Sequence, residues 1–455
     1  MMMGRRGGRG IVLAATLALF ISTGASADCA HEARRPDPVL DGLIARALDS
    51  SPELELARAE RERGAAGISM AQSPYRPELG LGTGFTKTDD PTSAFSAILE
   101  QGRLTPEVQS DLNDPPPVGD WATHLYARIL LFDSGRRKAD TEAARSEEDR
   151  LRLLEEATLR DVRYAVSSAY YDLIRSRAAV GLWEDTVRLF GAHRDLTLAG
   201  FEAGTVLRSD VLSIEVRLSE AEENLITARS DAEIALALLA STIGMSRDAV
   251  EVPDRPIDCP VYGDDEAEIV GRAMDAHPAI AAIDAAGRAA ASGERARRRD
   301  DWPKLVGEVR GIWHGDDESL GVERGSYVAS VMLDVPIYDG GRSLAAAEGS
   351  TARRREVEAA RRRVALDLEL AARTAHRRAR EQVDRVAIAD RAVEAAEAAL
   401  RIIEERYEAG LATIVHLIEA ERAVTGARVR ALDARALGWT AVARIEQIAG
   451  PEPAP

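Results

Sequence analysis

Large rings are scarce in this chain of 455 residues: aromatic side chains make up only 4%. That scarcity excludes a fold built on thick globular cores. With 30% charged residues and abundant Ala, Glu, Arg and Leu, it points to long helices joined by thin apolar seams. Basic charge is also in deficit. Lys and Arg number 59 against 76 Asp and Glu, and the net charge of −17 argues against nucleic acid as a partner while leaving room for cations or cationic compounds. Cysteine is nearly absent. Cys29 and Cys259 lie outside the helical stretches and have no metal-type spacing; an oxidising compartment permits a disulfide between them. No apolar run after residue 27 approaches the ~18–20 residues of a membrane-spanning helix. The motifs HExxH, GxxxxGK(S/T) and GxSxG are all missing, and the seven histidines are scattered. No enzyme, metal site or cofactor is expected.

The first residues do carry a signal. A basic "MMMGRRGGRG" precedes the apolar "IVLAATLALFI", and Ala25 and Ala27 form an A-x-A-like cleavage site. A secretory signal peptide is therefore expected over 1–27. Lipidation of the nearby Cys29 is the weaker alternative, because Asp28 stands where a small residue is expected.

The chain then writes one unit twice. At an offset of 206 residues, "LFDSGR" (131–136) falls on "IYDGGR" (337–342), and "FEAG" (201–204) on "YEAG" (407–410). Upstream the offset is 226: Pro52 falls on Pro278, and Pro77 on Pro303. The difference of 20 residues is an insertion between Pro77 and Leu131, expected in the Pro-rich, turn-like segment 95–117. The expected organisation is a first repeat over 28–251, a linker over 252–265 and a second repeat over 266–455.

Each repeat opens with helices broken at Pro52 or Pro278 and then changes period. Residues 79–88 and 121–132 alternate: Trp121, Leu125, Ala127, Ile129 and Leu131 fall on one face, and His124, Tyr126 and Arg128 on the other. In the second repeat, 305–314 and 326–337 do the same, with Leu305, Val309 and Trp313, then Tyr327, Val331, Leu333, Val335 and Ile337, on one side. Period two means strand. Long proline-free stretches follow. The first, from about Arg136 to Gly200, would be a rod of roughly 90 Å. Seams such as Leu218, Ala221, Leu225, Ala228, Ala232, Ala235 and Leu239 step by three and four, as in coiled coils. Gly204 and Gly410 are placed to close one long helix before the next begins. Asp133, Ser134 and Asp339 are candidate helix caps, with Gly135 and Gly341 in the strand-to-helix turns.

Four strands per chain cannot close a membrane barrel, which needs about eight, and an open sheet edge is not tolerated in lipid. Either the sheet is soluble or several chains share one barrel. The duplicated order, with "SPEL" (51–54), "FDSGR" and "YDGGR", and "YEAGLATIVHLIEAE" (407–421), resembles the TolC-like outer-membrane efflux protein family over essentially the whole mature chain. The resemblance implies a mainly α fold with a β-barrel portion. In it, long hairpins form a trimeric periplasmic α-barrel and three chains share a 12-stranded transmembrane barrel. It also implies a homotrimer in the outer membrane of a Gram-negative bacterium, in contact with outer-membrane lipid, a periplasmic adaptor protein and an inner-membrane pump. Cargo stays open among small molecules, metal ions and polypeptides. The alternative is a soluble periplasmic coiled-coil adaptor or structural protein.

The family carries entrance acids just after the hairpin tips. By motif these positions are Asp210, His416 and Glu419, with Arg208 as the nearest arginine because Ala412 stands where some members place one. Three copies of Glu419 would favour cations, and protonated His416 would oppose them, making the entrance pH-sensitive. Gly204, Thr205, Gly410, Leu411 and Thr413 are the expected adaptor contact.

Overall fold

The computed structural model describes residues 37–106, 113–316 and 324–451. The expected signal peptide, Cys29, residues 107–112 of the insert and the tail from 452 onward lie outside the described residues. The first half runs α1 (Pro38–Ser50), α2 (Pro52–Gln72), β1 (Glu78–Thr88), α3 (Pro91–Glu100), β2 (Val118–Phe132), α4 (Arg136–Glu202) and α5 (Arg208–Thr242). The second runs α6 (Glu266–Ala276), α7 (Pro278–Arg297), β3 (Lys304–Gly315), β4 (Arg324–Asp334), α8 (Arg342–Glu408) and α9 (Ile414–Ala449). Helices α4 and α8 are both 67 residues long, and each starts and stops 206 residues from its counterpart.

Local chemistry sets the boundaries. Ser51 and His277 precede proline and are extended, with ψ of 125° at both, so each helix pair breaks there. The 20-residue difference falls between β1 and β2. Part of the insert is helical, where turns were expected. Asp90 Oδ2 accepts the Ser93 N–H at 2.9 Å, and Pro91 occupies the first turn. Ala94, Ala97 and Ile98 then form a stripe that packs on Val118. Strand β4 stops at Asp334, so Val335 and Ile337 fall outside it. Pro336, with no N–H to donate, follows at once.

The sheet has the order β1-β2-β3-β4, antiparallel throughout. The halves meet at β2–β3, where Ala127 faces Val309 and Leu125 faces Gly311; the register shifts between Leu130 and Phe132. Registry carries the predicted alternation across all four strands. Leu81, Leu125, Gly311 and Tyr327 align on one face, and Leu79, Ala127, Val309 and Ala329 beside them. The opposite face carries the charged groups among Val306, Ile312, Val328 and Met332: Arg128 and Arg310 both pair with Glu308, at 2.8 and 2.7 Å. Tyr126 and His124 lie over Gly80 and Gly82, where a Cβ would come within 2.3 and 2.5 Å of the rings. The apolar face is bare, with Leu81 at 74% and Tyr327 at 81% exposure. The outer edges of β1 and β4 have no partner strand among the described residues.

Beyond the sheet, α4 with α5 and α8 with α9 form two hairpins that pack against each other through α4 and α9. The predicted α5 seam is inward: Leu218, Ala221, Ala228, Ala235 and Leu239 are buried. One core joins α1, α4, α5 and α9 around Tyr170, Leu173, Leu239 and Trp439. It takes in Val252 and Ile257 of the segment between the halves, whose Asp258 carbonyl accepts the Trp439 indole N–H at 2.9 Å. Cys259 in that segment is disulfide-bonded. No described helix is long and apolar enough to cross a membrane.

Candidate functional site

Both ends of each hairpin are built by local sequence. At the sheet end, Ser134 and Gly135 have φ of 57° and 84°, and Gly340 and Gly341 have 76° and 86°. Two successive left-handed residues turn strand into helix, which is why glycine is written there. Each aspartate caps the new helix. Asp133 accepts the N–H groups of Gly135 (3.2 Å) and Arg137 (2.7 Å); Asp339 accepts those of Gly341 (3.1 Å) and Ser343 (2.9 Å). The hydrogen bonds from Ser343 hold the Asp339 carboxyl below its ordinary range. Ser134 instead donates its hydroxyl to the Pro303 carbonyl, at 3.1 Å.

At the far end, Gly204 and Gly410 have φ of 74° and 70°. Thr205 N–H returns to Gly200 O and Gly204 N–H to Phe201 O, both at 2.9 Å; Leu411 N–H and Gly410 N–H return to Arg406 O and Tyr407 O at 2.7 and 3.0 Å. These are paired Schellman closures. A Cβ on either glycine would meet nothing within 4 Å, so conformation rather than crowding calls for glycine. Thr413 then caps α9 in a capping box with His416.

One apolar cluster holds the two tips together. Phe190 of α4, Ile214 and Leu218 of α5, and Ile414, Leu417 and Ile418 of α9 are buried against Leu400, Ile403 and Tyr407 of α8. The predicted entrance residues surround it. Asp210 lies in the first turn of α5. The Tyr407 phenol is raised by burial and then by the charge of Asp210. Arg208 opens α5 and makes no ion pair among the described residues. His416 and Glu419 are exposed on one side of α9. His416 is more than a surface charge, since its Nδ1 lies 3.0 Å from Thr413 Oγ1 and accepts the Thr413 N–H at 3.4 Å. Its side chain is committed to the start of the helix.

Two residues that pattern reasoning passed over lie just inside. Glu421 of α9 is 3% exposed, and its Oε1 is 2.8 Å from Nε2 of His193 on α4. Glu421 Oε2 has no hydrogen-bond partner among the described residues. The bond to Glu421 raises His193, while burial and then the charge of Glu421 raise Glu404 on α8. The only sequence signal was a glutamate at an inward heptad position beside Ile418. A histidine 228 residues away gives no hint of its pairing.

No nucleophile–base pair or oxyanion pocket accompanies these groups in the described residues. The arrangement can line a passage, clamp it and present turns to a partner. Known proteins place it further. The family model described as outer membrane efflux protein matches residues 43–245 and 269–451. Pyoverdine export outer membrane protein OpmQ of Pseudomonas aeruginosa is 25% identical over 413 residues, covering 88% of this chain and 82% of that one. Protein CyaE of Bordetella pertussis is 27% identical over 312 residues, covering 68% of this chain but only 62% of that one. In fold, the outer membrane protein VceC from Vibrio cholerae superposes with a TM-score of 0.74 at 18% identity, over 90% of this chain and 96% of that one. With both halves matched by the same family model, in the order the fold repeats them, the chain belongs to the outer membrane efflux protein family.

Proposed function

We propose that three copies of this outer-membrane efflux protein form one exit duct, which passes cargo from the periplasm or a pump to the exterior by passive conduction. The observation that carries this reading is the open four-stranded sheet, with an exposed apolar face and two edges that no described residue pairs, attached to two long hairpins. In lipid both edges must be paired. Three chains supply twelve strands, β4 of each meeting β1 of the next, and the apolar face turns to the membrane. The hairpins continue the tube as an α-barrel. A soluble adaptor would leave the apolar sheet face without a partner. Fractionation of inner and outer membranes, followed by the mass of the detergent-extracted protein, tests this. An outer-membrane species of three chain masses is expected, and a water-soluble monomer would overturn the reading.

The tips, with Gly204, Thr205, Gly410, Leu411 and Thr413, are the proposed contact for a periplasmic adaptor and, through it, an inner-membrane pump. They are bare, rigidly closed turns that a partner can grip. The export named for OpmQ is of pyoverdine; for this chain the cargo class extends to small molecules, metal ions or polypeptides. Asp210, Arg208, His416 and Glu419 form the proposed entrance. Three exposed Glu419 carboxylates in a narrow passage favour cations. Glu419→Gln is expected to lower the cation-to-anion permeability ratio severalfold, read as a shift in reversal potential across a salt gradient. An unchanged ratio would remove Glu419 from the passage.

A further inference from the structure

Near the tips, the seam between the two hairpins holds one ionisable pair beside its apolar cluster, with Glu421 buried and the His193 side chain 21% exposed. His193 sits in the third turn from the end of α4, in the first hairpin; Glu421 sits in the second turn of α9, in the second hairpin. Their contact of 2.8 Å therefore crosses from one hairpin to the other, just inside the cluster of Ile214, Leu218, Ile414, Leu417 and Ile418. The surroundings can be accounted for helix by helix. From α8 the pair faces Glu404, with Arg401 and Glu408 beyond it. Helix α5 turns Ile214, Leu218 and Ala221 toward the cluster, while its Glu215 and Glu222 act on Arg194, which pairs with Asp195. Among the described residues, the imidazole is thus the sole positive group in contact with a buried carboxylate that has a second carboxylate nearby.

A buried carboxylate is held in place by its partner's charge; without it, desolvation and the neighbouring carboxylate both work against burial. We propose that His193 and Glu421 form a proton-dependent tie between the two hairpins, closed while the imidazole is charged and loosened when it is neutral, which sets how readily the tips part. The tie rests on the channel reading and adds to it a positioning pair that touches no cargo. Its pH direction follows from the raised His193. The tie is fully present below the ordinary histidine range and is lost as pH rises through the raised value. Each pK unit of difference between tied and parted states changes their ratio about tenfold.

The test uses the full-length protein in planar bilayers at about pH 6 and about pH 9, either side of the histidine range. The wild-type open fraction is expected to rise severalfold with pH. His193→Gln retains a hydrogen-bond donor that does not titrate, so its profile is expected to be flat. A flat wild-type profile, or the same rise in His193→Gln, overturns the tie. A second readout does not need conduction: the histidine NMR titration in detergent, with His193 assigned by its loss in His193→Gln. His193 is expected to titrate above the ordinary range and to fall toward it in Glu421→Gln. Titration at the ordinary value, or no response to Glu421→Gln, overturns the tie. Absence of current at every pH together with a raised, Glu421-dependent His193 counts against the duct alone.

Discussion

Val331→Arg is expected to prevent assembly in the outer membrane. Val331 stands in β4 opposite Gly307, on the apolar face, and is 67% exposed in the single chain. An arginine on the lipid face of a membrane strand costs about 2–4 kcal/mol near the bilayer midplane. The proposed threefold barrel would carry that cost three times, which is comparable with the whole stability of an ordinary domain. Ser330→Arg is the control. Ser330 is the adjacent residue, pairs with Glu308 and faces the polar side. It is expected to assemble normally, because a cation there meets Glu308 and water. The measurement is the fraction of oligomer recovered from outer membranes by gel electrophoresis without heating. If Val331→Arg assembles as well as Ser330→Arg, the apolar face does not meet lipid.

Ile214→Ala is expected to loosen the tips without unfolding the protein. Ile214 is fully buried and belongs to the only cluster of buried residues, among those described, in which α5 and α9 meet near their starts. Truncating a buried isoleucine costs about 2–5 kcal/mol, depending on how well the cavity collapses. The cluster around Tyr170 and Trp439 lies elsewhere along the hairpins and shares no residue with it. The loss should therefore be local, since long helical assemblies open in segments. Hydrogen exchange should speed up in the first turns of α5 and α9 and stay unchanged around Tyr170. Uniform acceleration along both hairpins would show that the tips are not an independent unit.

Much of the fold was legible because it is written in short-range physics. The 206-residue offset located the start of the first 67-residue helix at Arg136 and placed its end at Gly200, two residues short of Glu202, since a strand-to-helix turn with left-handed glycines at one end and a Schellman glycine at the other leave fixed marks. Period two located all four strands. It overran β4 to Ile337 because alternation continues through Val335 although Pro336 cannot continue a strand. The insert was read as turns because its prolines were weighed above the Ala94, Ala97 and Ile98 stripe behind the Asp90 cap.

The sequence by itself determined the duplication, the helix ends, the two faces of each strand and the family. All of these depend on residues within a few positions of one another, or on a repeat of such groups. Tertiary structure decided what joins the halves. It set the β2–β3 register that merges two strand pairs into one sheet, and it committed His416 to a capping box with Thr413. It also brought His193 to Glu421 across the seam. That pairing of residues 228 positions apart depends on the relative rotation and register of the two helices that carry them. Such alignment is fixed by the summed packing of the seam, and no local pattern encodes it.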